Sequence, residues 1–116
     1  MKSQFLVLIT SDPRTSPKPA EAVRIAAGVG SWGKVAVMIY LRAPAARVLS
    51  EFPDELVDGE NFTRFLPLVA ESGGLVLVQR DAPALAEIGR APVPFREIGD
   101  EELADLAARN DYVARF

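Results

Sequence analysis

Apolar residues are distributed along the chain in runs of two kinds. Continuous runs occur at Gln4–Thr10 (QFLVLIT), Lys34–Leu41 (KVAVMIYL) and Leu75–Gln79 (LVLVQ). An unbroken apolar run of this length predicts a strand covered on both faces, the usual state of strands in a parallel sheet. Between them the spacing changes to that of helices. Ala22, Val23, Ala26, Ala27 and Val29 form one stripe on a helix from about Lys18 to Trp32, with Ser16 as its cap and Pro17 at its first position. Gly33 is placed to stop it. A third helix is expected from Asn61, as cap, to Glu71, with Phe62, Phe65, Leu66 and Val69 inward. Pro67 lies inside this span, where it removes a helical hydrogen bond and predicts a kink or a later start.

The remaining segments follow the same alternation. APAARVLSEF and Ala84–Gly89 read as short helices, Val93–Ile98 as a fourth strand, and GDEELADLAARN as a helix capped by Asp100. In that last helix Glu101 and Glu102 favour the positive end of the dipole, while Leu103, Leu106 and Ala107 share one face. DYVARF closes the chain as an edge strand. Strands alternating with helices predict one α/β domain over residues 1–116, a three-layer sandwich around a mainly parallel five-stranded sheet.

Composition narrows the chemistry more than it alters the fold. The 116 residues are 49% hydrophobic and 25% charged, proportions ordinary for a globular domain able to bury one core. The formal charge is −3 and the cations are scattered singly, which argues against nucleic acid as a partner. No apolar run reaches the roughly 20 residues that span a bilayer. The run Phe5–Ile9 is too short for a signal peptide and lacks a cleavage site, so a cytoplasmic protein is expected, with no membrane partner. There is no Cys and no His. Thiolate chemistry is excluded, and so are Ser-His-Asp hydrolysis and the commonest zinc ligand sets. No catalytic residue, metal or cofactor is expected.

Ligands of open α/β sheets bind outside the carboxyl ends of the strands. The candidates there are Asp12 and Arg14 after the first strand, Arg42 after the second, and Gln79, Arg80 and Asp81 after the third. Arg42 and Arg80 are suited to clamping an anion. Each also has a plainer reading as a turn residue, a cap or half of a surface ion pair. The first loop lacks the glycines of a phosphate cradle, and GVGSWG (residues 28–33) falls at a helix end instead of opening one. The acidic cluster Asp54, Glu55, Asp58 and Glu60 lacks the spacing of a calcium loop.

The succession FLVLITSDP, then WGKVAVMIY, then LPLVAESGGLVLVQRDA, then DEELADLAARND running into DYVARF resembles the DsrE/DsrF-like sulfur-relay superfamily, relatives of the TusBCD subunits. The resemblance covers nearly the whole chain. It implies a small α/β domain that assembles as a trimer or hexamer, in a family some of whose members carry persulfide sulfur on a cysteine. That cysteine corresponds to the neighbourhood of Val78–Arg80, where this chain has Gln79. A persulfide needs a thiol, so the carrier chemistry does not transfer. The chain resembles the subunits that lack the carrier. Two functions are therefore expected to compete: a non-catalytic, self-associating subunit or binding protein that works with a thiol-bearing sulfur-transfer partner, or a small-anion or metabolite site at the carboxyl edge of the sheet.

Overall fold

The computed structural model describes residues 2–116. Five strands, β1 (Ser3–Ile9), β2 (Val35–Leu41), β3 (Leu75–Gln79), β4 (Arg96–Ile98) and β5 (Tyr112–Arg115), form a single sheet in the order β4-β3-β2-β1-β5. Every pairing is parallel. The three helices are α1 (Lys18–Ser31), α2 (Glu60–Glu71) and α3 (Asp100–Arg109). No helix among the described residues is long and apolar enough to cross a membrane.

The two faces of the sheet are unequally covered. On one face Val7, Ile9, Val37, Ile39, Leu41, Val76 and Val78 pack against α1, α2 and the loop segments after β2 and β3, making the main core. On the other, Leu6, Tyr40, Leu77 and Ile98 form a small second core under α3. The sheet is about 19 Å wide at roughly 4.8 Å per strand. A ten-residue helix is about 15 Å long and roughly 10 Å across, so α3 alone covers about half of that face. Leu75 on β3 stays 51% exposed and Val113 on β5 47%.

Several local expectations are corrected. The short helices expected in APAARVLSEF and Ala84–Gly89 are present as 3-10 helices, with shifted bounds at Ala43–Leu49 and Pro83–Ala86. Each begins on a proline-bearing turn and is too short to propagate an α-helix. The fourth strand starts at Arg96, not Val93, because Pro94 has no N–H to give to a ladder. The caps also move. Pro17 occupies the cap of α1, while Ser16 Oγ accepts the Lys18 N–H at 3.2 Å. Gly59 and Gly99 precede α2 and α3, displacing Asn61 and Asp100 from the cap positions. Asn61 instead donates from Nδ2 to the Ala20 carbonyl at 3.4 Å, tying α2 to α1. Helix α2 runs through Pro67, since Phe62, Leu66 and Val69 on either side of it are buried and hold the helix in place. Gly33 adopts φ +79° directly after Trp32, the left-handed turn expected at that helix end.

Candidate functional site

Side chains alternate between the two faces of a strand, so Leu8 and Thr10, Tyr40 and Arg42, and Arg115 all emerge on the α3 side. The register places Leu8 beside both Tyr40 and Arg115. Helix α3 begins over the carboxyl ends of these strands and contributes Asp100, Leu103 and Ala104. The result is a cleft of about 360 Å³ lined by these eight residues.

Its floor is apolar and its rim charged. Leu8, Leu103, Ala104 and the Tyr40 ring make the floor. The Arg42 Nη1 group donates to Tyr40 Oη at 3.1 Å and to Asp100 Oδ1 at 3.3 Å. Burial pushes the Tyr40 hydroxyl above its ordinary pKa, with the nearby Arg42 charge opposing the rise. Tyr40 and Asp100 thereby aim one guanidinium along the rim. On the other side, Arg115 Nε approaches Thr10 Oγ1 at 3.5 Å. Arg115 has no carboxylate within ion-pair distance among the described residues.

Of the six candidates named from the sequence, only Arg42 lines this cleft. Asp12 and Arg14 pair with each other: Asp12 Oδ1 accepts the Arg14 N–H at 2.9 Å, and Arg14 Nη2 reaches Asp12 Oδ2 at 2.8 Å. Arg14 faces a second, smaller cleft in which Arg47 is bound to Glu87 at 2.5 Å. Gln79 is a clamp, its Oε1 accepting the Ala43 N–H at 2.8 Å and fixing the chain where Ala43 takes φ +40°. Arg80 extends the sheet through its N–H to the Ile98 carbonyl at 2.9 Å. Asp81 turns the chain at φ +61°, its N–H on Glu97 Oε1 at 3.0 Å. Among the described residues no group of three His, Cys, Asp or Glu side chains is placed to hold a metal.

Sequence reasoning missed Thr10, Tyr40, Asp100 and Arg115. Thr10 and Tyr40 were accessible to it, since each lies two residues from another member on a strand. Arg115 was not, because only the sheet order brings β5 beside β1.

The hydrogen bond from Arg14 holds the Asp12 carboxyl below its ordinary pKa of 3.8, against a smaller opposing effect of burial. A depressed folded-state value means the pair stabilises the fold above the unfolded value and ceases to do so as pH falls through the folded one. Asp12→Asn is therefore expected to lower the melting temperature slightly at pH 7. That difference should shrink below about pH 4, as melting curves between pH 2.5 and 7 would register.

No protein-family model matches the sequence, and no curated protein matches it. The fold does have a solved counterpart. The crystal structure of the ychN protein from E. coli is similar over 100% of both chains, with a TM-score of 0.76 at 17% identity. At that identity the likeness speaks for the fold alone. The fold is the DsrE/DsrF-like one, with an all-parallel five-stranded sheet flanked by helices, in a chain that has no cysteine.

Proposed function

We propose that this chain is a non-catalytic DsrE-like subunit that assembles with further copies of itself. The observation that carries the reading is the half-covered sheet face. Parallel sheets are normally covered on both faces, and here a single ten-residue helix covers one of them. Along the amino-terminal part of β3 an apolar groove is lined by Leu75, Leu77, Pro94 and Phe95 together with Ala70 and Val76 from the main-core side; at the opposite edge of the sheet Val113 stands open. Burying such a surface gains roughly 25 cal/mol per Å². A second copy brings the same apolar surface at equal concentration, and symmetric self-contacts are the commonest way to cover it. The resemblance to assemblies of trimers or hexamers points the same way.

Sulfur chemistry, where it meets this subunit, then comes on the thiol of a sulfur-transfer partner. We place the role in the cytoplasm, where such thiols stay reduced.

Leu75→Glu puts a charge on the open groove at a position already half exposed, which spares the monomer's fold. Sedimentation is expected to show the variant at the monomer mass under conditions where the wild type is assembled, with an unchanged circular dichroism spectrum. An assembled Leu75→Glu protein would overturn the groove as the contact.

A further inference from the structure

We infer that the cleft between α3 and the carboxyl ends of β1, β2 and β5 is a binding site for a small monocarboxylate with an apolar body. The inference is independent of the assembly proposed above, which uses the amino-terminal half of the same face.

The charge balance of the cleft selects a monoanion. Among the side chains that line it, two guanidiniums, Arg42 and Arg115, face one carboxylate, Asp100, while behind the rim the Phe116 carbonyl oxygen is held by the Thr10 N–H and hydroxyl. Arg42 is oriented by Tyr40 Oη at 3.1 Å and keeps other N–H groups beyond its contact to Asp100. Its link to Asp100 is long at 3.3 Å, and the Asp100 side chain is 77% exposed, so an incoming carboxylate competes with a weakly held one. Arg115, with no ion pair among the described residues, supplies a second fork from the opposite rim. A planar guanidinium matches a carboxylate in a two-bond geometry. Polyphosphates and nucleotides fit poorly, since Asp100 stands on the rim of the cleft and repels additional negative charge.

The floor selects the rest of the ligand. Leu8, Leu103, Ala104 and the Tyr40 ring offer an apolar seat, which inorganic phosphate would leave unused. About 360 Å³ lies near the lower end of the range for small-molecule sites, roughly 300–1,000 Å³, and suits a single ring or a short branched chain.

Calorimetry and amide chemical shifts on the full chain would test this with benzoate, its neutral analogue benzamide, and inorganic phosphate. Saturable benzoate binding is expected, at least tenfold tighter than either comparator. Shift changes should concentrate on Leu8, Thr10, Arg42 and Arg115. Arg115→Gln, which alters no buried side chain, is expected to weaken benzoate at least tenfold and leave the melting temperature unchanged. Ala104→Leu, which fills the seat without altering charge, should weaken it as well. Equal binding of benzamide would overturn recognition by the arginines. Equal binding of phosphate would overturn the apolar body, and the absence of any saturable shift would overturn the site.

Discussion

Tyr40→Ala is expected to destabilise the protein by about 3–5 kcal/mol, among the largest effects of any single substitution here. Tyr40 is 1% exposed and is the largest residue of the small core shared by Leu6, Leu77 and Ile98. That core is thin. Among the described residues only α3 lies over it, and none of the α3 side chains is fully buried. Removing the ring leaves a cavity beneath a helix that rests on little else, so the loss should spread to α3. Tyr40→Phe separates packing from hydrogen bonding. It keeps the ring and removes only the acceptor for Arg42 Nη1, for an expected cost of about 1 kcal/mol. Urea unfolding of both variants checks the pair of values. A loss below about 1 kcal/mol for Tyr40→Ala would mean that the face under α3 contributes little to the fold.

Gly59→Ala is expected to cost about 2–4 kcal/mol and to lower the melting temperature by about 10 °C or more. The reason is not backbone freedom, because Gly59 sits at φ −56°, open to any residue. The obstacle is space. A methyl group there would run into the carbonyl oxygen of Pro53 and lie 3.2 Å from that of Leu56. Both are backbone atoms and cannot rotate away. The turn that starts α2 would have to open, breaking the bond from the Gly59 N–H to the Leu56 carbonyl at 3.1 Å. Thermal melting decides it, and an unchanged midpoint would show that this turn yields readily.

Much of the fold was legible because burial on both faces writes an unbroken apolar run. QFLVLIT, KVAVMIYL and LVLVQ had no reading as good as a central strand, and the stripe on α1 allowed little but a helix. Helix starts were less legible. Asn61 and Asp100 have the side chains of caps, yet Gly59 and Gly99 precede the two helices; at Gly59 the Pro53 and Leu56 carbonyls leave no room for a cap side chain, whereas at Gly99 only the Arg80 guanidinium lies near. The two short helices after β2 and β3 were legible as such, but their Ala-rich composition suits an α-helix or a 3-10 helix equally and does not fix the 3-10 form.

The cleft was half legible. Its location at the carboxyl edge and the part played by Arg42 could be argued from strand ends alone. The trio Gln79, Arg80 and Asp81 stands at a strand end as expected, but its hydrogen bonds go to the segment after β2 through Ala43 and to β4 through Ile98 and Glu97. Such long-range bonds leave no trace in local sequence. Arg115 is the opposite case, an unremarkable terminal cation that becomes part of a site once β5 is laid beside β1.

The reading of this chain as an assembling subunit depends above all on its mass in solution. Sedimentation equilibrium of the wild-type protein at micromolar concentration measures that mass without labels or variants. The half-covered face predicts a multiple of the 12.6 kDa chain mass that persists on dilution through the micromolar range. A mass of 12.6 kDa at every concentration would contradict it.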